Sequence, residues 1–264
     1  MTTHFSNGVT NVRGKSGGTS LFSGIKQPLI TGGTSPQEFA YQNDFVTYNA
    51  SDWQTVTSTG ASDYQLADYA FGWLRQGDAV PAAGEIQGVA DYECFQYSST
   101  RPWYFETKIA VTDVSEANTW VGFAQNGYAD SDTLPNDGIG FSHLQDTTTI
   151  QFVSRKGGAG TSFTMLEGGS TYTFADSTIA TQSATVMAAP SAPVRLGFLF
   201  QPLGSEPGQT AIQYKLYLNG NIVGTQAATT VPDTVEIGLN AMIAHKGTVA
   251  NDLYVDYLQT VQQR

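Results

Sequence analysis

Ile212-Gln213-Tyr214-Lys215-Leu216-Tyr217-Leu218 alternates apolar and more polar residues and then runs into Asn219-Gly220-Asn221-Ile222-Val223. Asn and Gly are the residues that best tolerate positive φ at both central positions of a two-residue turn, so this segment must reverse as a tight β-hairpin. Few short segments constrain a chain more: two antiparallel neighbours and their register are set together.

Similar patterns recur. In Trp103-Tyr104-Phe105-Glu106-Thr107-Lys108-Ile109-Ala110-Val111 the odd positions are mostly apolar, as in a strand with one face in a core. Residues 120–124, 137–141, 149–153, 194–200, 234–239 and 252–258 read as further strands, with a Gly157-Gly158 turn after the third of these segments and Pro193 and Pro202 bounding 194–200. Only Tyr64 to Leu74 has helical spacing, through Leu66, Tyr69, Ala70 and Trp73, and Gly72 interrupts it. Charged residues make up 13% of the 264 positions, against roughly 25% in an average soluble domain, and the difference is taken up by residues suited to strands and turns. The expected fold is all-β: two packed antiparallel sheets forming one domain over residues 38–264.

Residues 1–37 differ from this body. They hold Arg13, Lys15 and Lys26 and no acid, whereas residues 38–100 hold nine acids and one base, Arg75. Repeated glycines preclude regular structure, so the segment reads as an extended arm. Its apolar groups Phe5, Val9, Val12, Leu21, Phe22, Ile25, Leu29 and Ile30 are too many for a segment that only stays solvated. The arm is expected to bind a surface through Phe5, Val9, Val12, Arg13, Lys15, Leu21, Phe22 and Lys26.

Several function classes are disfavoured. A net charge of −11 opposes general affinity for nucleic acid. No segment approaches the ~20 apolar residues of a membrane helix, and Met1 to Gly8 lacks the pattern of a secretory signal, so cytoplasmic synthesis without membrane embedding is expected. Cys94 is the single cysteine, leaving stability to core packing or to assembly into a homo-oligomer. Glycosidase chemistry needs two carboxylates about 5–9.5 Å apart. Asp91 and Glu93 are the nearest pair on one strand face, and they lack the third acid of the Glu-x-Asp-x-x-Glu pattern.

His4, His143 and His245 have no nucleophile motif beside them and read as surface residues; Cys94, among aromatics, reads as a buried inert thiol. No catalytic residue is expected. Asp130-Ser131-Asp132-Thr133-Leu134-Pro135-Asn136-Asp137-Gly138 is the best metal candidate, with Asp130, Asp132, Asn136 and Asp137 chemically suited to Ca²⁺. Its spacing matches neither an EF-hand nor the metal loop of sandwich-fold lectins, and Asp and Asn are also turn residues, so a plain turn without a cofactor is the expectation. Tyr128 and Trp53 are the aromatics considered for stacking on a sugar, against a core or interface role.

The succession of the Trp103–Glu106 strand, Asp137-Gly138-Ile139-Gly140-Phe141, the Leu216-Tyr217-Leu218-Asn219-Gly220 hairpin and Leu253-Tyr254-Val255-Asp256-Tyr257 resembles the concanavalin A-like or laminin G-like jelly roll, over about residues 101–260. Separately, Thr3 to Val12 resembles the N-terminal segments of virion structural proteins from tailed bacteriophages. Together these resemblances imply a capsid decoration, or cement, protein on the virion surface, its arm lying along the major capsid protein. A glycan-binding head or tail appendage is the alternative, and a sandwich-fold carbohydrate-active enzyme the third reading.

Overall fold

A computed structural model describes residues 38–43, 53–57, 65–69, 73–78, 86–90, 95–125, 134–178, 190–204, 211–233 and 235–263. The arm of residues 1–37, and with it every capsid-binding residue named above, lies outside them. All regular structure among the described residues is strand: β1 (Glu38–Asn43), β2 (Gln54–Thr57), β3 (Gln65–Tyr69), β4 (Trp73–Asp78), β5 (Ile86–Ala90), β6 (Phe95–Gln96), β7 (Trp103–Val111), β8 (Ala117–Ala124) and β9 (Gly138–His143). These are followed by β10 (Ile150–Lys156), β11 (Ala159–Thr164), β12 (Leu166–Glu167), β13 (Ser170–Thr171), β14 (Val194–Gln201), β15 (Gln213–Leu218), β16 (Asn221–Ala227), β17 (Glu236–His245) and β18 (Asn251–Gln263).

The strands form two antiparallel sheets. The first runs β16-β15-β14-β7-β18-β4-β3, with β1 also pairing with β18; the second runs β11-β10-β9-β8-β17-β5-β2, with β6 pairing with the start of β17. The main core spans residues from Trp53 to Leu258. Alternation explains which residues enter it. Phe105 and Ile109 of β7, Val121 and Phe123 of β8, Phe198 of β14 and Leu239 of β17 sit one residue apart from outward neighbours and are all buried between the sheets.

The expected hairpin is present. Asn219 and Gly220 have φ of 50° and 84°, the two-residue turn that the sequence requires. Asn219 is tied to the neighbouring strand: its amide donates to the Arg195 carbonyl at 2.7 Å, and its Oδ1 accepts from the Arg195 amide at 3.0 Å. The register slips between Leu216 and Tyr217, so β16 carries an extra residue near its start. Gly157-Gly158 forms the second expected turn, with φ of 55° and 81° joining β10 to β11.

Two expectations are corrected. Of the segment with helical spacing, residues 65–69 and 73–74 are described, and they are strand rather than helix. β3 and β4 pair there as an antiparallel hairpin, and β4 pairs in turn with β18, which buries Trp73 and Leu74. Tertiary pairing outweighs a short spacing interrupted by Gly72. Nor is β7 a strand with only one buried face. Tyr104, Glu106 and Ala110 point away from the main core and are buried as well, among clusters formed by Tyr104, Leu199, Tyr217 and Val261 and by Trp73, Ala110 and Tyr254.

The outer face of the second sheet is similarly closed. Trp120 lies across β9 so tightly that a Cβ on Gly138 or Gly140 would come within 3.2 or 3.1 Å of its ring, and Val153, Met242 and Leu134 pack around it.

Replacing Gly220 with Val should lower the thermal midpoint by several degrees, a cost of about 1–3 kcal/mol. The added Cβ would meet only the mobile end of Arg195, so the penalty comes from forcing a β-branched residue to φ 84°. An unchanged midpoint in differential scanning calorimetry would show that the turn does not constrain this hairpin.

Candidate binding site

Of the residues considered for chemistry, Asp91, Glu93, Cys94, Tyr128, Asp130 and Asp132 lie outside the described residues. Asn136 and Asp137 are described, and both serve a turn. The Asn136 carbonyl accepts from the Gly158 amide at 2.9 Å, and Asp137 Oδ1 accepts from the Gly157 amide at 3.0 Å. They fix the β10–β11 turn against the start of β9. Among the described residues no group of three or more His, Cys, Asp or Glu side chains is arranged to hold a metal ion. Arg155 and Lys156, which flank the glycine pair, are also engaged: Arg155 donates to the Leu134 and Gly158 carbonyls, and Lys156 pairs with Asp233 at 2.5 Å.

The reading of His143 and His245 as surface residues is corrected. Both are about 1% exposed, because each ends a strand of the second sheet on its inward-facing register beside Thr119 or Ala117. His143 packs edge-on against Phe174 at 5.4 Å, and its Nε2 bonds to the Thr147 carbonyl at 2.8 Å. Burial pushes its pKa below the usual histidine value, opposed by backbone bonds at Thr147 and Ala117 and by the charge of Asp176. Trp53, considered for sugar stacking, is likewise buried, in the main core.

The outer face of the first sheet holds a polar lattice that sequence reading missed. Glu106, 5% exposed, accepts from the Tyr104 hydroxyl at 2.5 Å and from the Tyr257 hydroxyl. Lys108 pairs with Asp256 at 2.7 Å and lies 4.8 Å above the Trp73 ring. Arg75 pairs with Asp252 at 3.0 Å, and Asp252 also accepts from Tyr254. Each link crosses between β7, β18 and β4 or runs along one of them. Burial first, and then the Glu106 charge, push the Tyr104 and Tyr257 phenols well above the ordinary tyrosine value. This lattice fastens strands together. Each oxygen of its carboxylate accepts from one phenol and little of the residue reaches solvent, so its observed contacts are those of a tie between strands.

An open depression lies elsewhere, where two tight turns meet. β12 and β13 form a small hairpin across Gly168 and Gly169, whose φ of 58° and 86° again require glycine. This hairpin rests against β16, the edge of the first sheet. Phe163 of β11 fixes the approach: a Cβ on Gly224 would fall 2.5 Å from its ring, so only glycine lets β16 come this close to the edge of the second sheet. The result is a cleft of about 320 Å³ lined by Leu166, Glu167, the two glycines, Leu218, Asn221, Ile222 and Val223.

Ile222 is 60% exposed, Glu167 and Asn221 are exposed, and Leu218 is buried beneath them. Tyr172 stands close to the rim, its phenol raised by burial and then by the charge of Glu167. The cleft therefore has a C–H floor and wall with a carboxylate, an amide and peptide groups at its edge. That arrangement suits binding; it contains no nucleophile with a base beside it.

No protein-family model and no curated protein sequence matches the chain. Solved structures do. The Emp47p carbohydrate recognition domain is similar over 87% of this chain and 98% of its own, with a TM-score of 0.55 and 11% identity. The fold is a lectin-like, concanavalin A-like jelly roll. The metal-free Emp46p carbohydrate recognition domain superposes with a TM-score of 0.50 at 12% identity, over 84% of this chain and 95% of that one. Peanut lectin, solved with a nine-residue peptide, gives 0.52 at 7% identity over 86% and 97%. The likeness extends beyond residues 101–260 and takes in most of the lectin-like body.

Two measurements follow from this chemistry. Tyr104, Tyr214 and Tyr257 have raised pKa values when folded, so their contribution to stability is complete below about pH 10 and is lost as pH rises further. His143, held neutral, contributes stability above about pH 6.5 that is lost as pH falls. Denaturant midpoints should decline on both sides, with phenolate absorbance near 295 nm from these buried tyrosines appearing only on unfolding. Full phenolate absorbance from a protein that is still folded would show the lattice to be open. Chelation with EDTA should leave the thermal midpoint unchanged, and a fall reversed by Ca²⁺ would instead identify a stabilising ion.

Proposed function

We propose that this chain is a non-enzymatic glycan-binding appendage of a tailed-phage particle, with the jelly roll as receptor-binding body and the basic N-terminal arm as its attachment to the head or tail. The observation that carries the reading is the whole-body likeness to carbohydrate recognition domains, spanning 87% of this chain and 98% of the Emp47p domain. Capsid cement, the first reading of the sequence, gains no comparable support, and the fold hosts more than one function. Virion localisation rests on the resemblance of Thr3 to Val12 to virion proteins.

In this reading the two parts have separate tasks. The body carries a net negative charge and an open cleft; the arm carries Arg13, Lys15 and Lys26 and eight apolar groups that gain by burial against a partner.

The full-length protein should give saturable binding on a glycan array. Deleting residues 1–30 should preserve glycan binding while abolishing co-sedimentation with particles that lack the protein, and high salt alone should not strip the full-length form, because apolar burial supplies most of the affinity. Absence of any glycan binding, together with tight arm-dependent attachment to capsids, would return the assignment to cement.

A further inference from the structure

We propose that the cleft between the Gly168-Gly169 and Asn219-Gly220 turns binds an uncharged terminal saccharide, an inference that rests on the glycan-binding reading and locates its site. The volume of about 320 Å³ lies at the lower end of the ~300–1,000 Å³ typical of small-molecule sites, which limits the occupant to one or two sugar rings. A pyranose presents a C–H face and a rim of hydroxyls. Leu166, Leu218, Ile222 and Val223 supply an apolar surface for the first, while Glu167, Asn221 and the peptide groups of Gly168 and Gly169 supply acceptors and donors for the second. A purely apolar occupant would strip water from the Glu167 carboxylate and the Asn221 amide without replacing it.

Charge sets the class of sugar. Glu167 is the one ionisable side chain lining the cleft, and no cation stands among the lining residues to offset an acidic ligand. Arg195 reaches the neighbouring Gly220 turn and is not among the lining residues, so within the cleft the Glu167 carboxylate, in a chain of charge −11, disfavours a carboxylated or sulfated saccharide. Neutral hexoses and N-acetylhexosamines meet an acceptor suited to their hydroxyls.

The two turns belong to separate hairpins that touch through β12 and β16, which gives the site its geometry. Each is fixed by positive φ at its central residues and so holds its flanking side chains on a rigid support. No aromatic ring lines the cleft, so a single site should bind at roughly millimolar strength, and useful avidity would come from many copies on one particle.

The test is titration of the isotope-labelled full chain, followed by amide NMR, with methyl glucoside, methyl galactoside and methyl N-acetylglucosaminide, and in parallel with sialyllactose. At least one neutral glycoside should shift the Gly168, Gly169, Asn221 and Ile222 amides, and sialyllactose should shift them less. Asn221→Ala, an exposed position that leaves the fold intact, should weaken binding about tenfold. Ile222→Asp should abolish it, with unchanged spectra elsewhere confirming the fold. Neutral binding that shifts other amides and survives both substitutions would overturn the cleft and leave the glycan reading in place. Preference for sialyllactose at these residues would overturn the assigned class. No binding of any saccharide here or on the array would overturn both proposals.

Discussion

Phe198 holds the centre of the molecule. Its ring lies within 6.5 Å, centroid to centroid, of Trp103, Phe105, Phe123, Phe141, Phe152 and Tyr214, in tilted or edge-on arrangements. These rings come from β7, β8, β9, β10, β14 and β15, so one cluster joins the central strands of both sheets. Aromatic pairs of this geometry add about 0.5–1.5 kcal/mol each beyond the area they bury. The sheets can be held face to face without a disulfide because the interior is filled by large rings that interlock.

A core built this way leaves the outer faces free to specialise. On the first sheet, Glu106, its two tyrosines and the Lys108–Asp256 and Arg75–Asp252 pairs tie β7, β18 and β4 laterally. On the second, Trp120 over the glycines of β9 does the same by packing. Both arrangements are closed, and closure is why neither presents chemistry to solvent. Among the described residues an open cleft lies instead at the sheet edges, where short hairpins leave side chains exposed.

Much of this was legible in the sequence. The alternation in 103–111 and 212–218, the Asn219-Gly220 and Gly157-Gly158 turns and the all-β architecture are local properties, and local properties survive into the structure. What failed depended on distant partners. Residues 64–74 carry a helical spacing, whereas Leu74 pairs with Val255 of the distant β18. His143 and His245 look like surface residues until the strands that end at them are seen to turn them inward. Tyr104, Glu106 and Tyr257 are unremarkable singly and form a site-like cluster only when β7 and β18 are adjacent. The cleft was missed for the same reason: Gly168-Gly169 and Asn219-Gly220 each signal a turn, and nothing in the sequence says that the two meet.

The position of β18 also governs when the molecule can form. β18 pairs with β1, β4 and β7, and the contact between Thr107 and Tyr257 closes a separation of 150 positions. β7 therefore lacks one of its two neighbours, β14 on one side and β18 on the other, until β18 has been synthesised. Loops this long are slow to close, and an unpaired central edge invites pairing between nascent chains. The first sheet is thus completed only once β18 is available to join β1, β4 and β7.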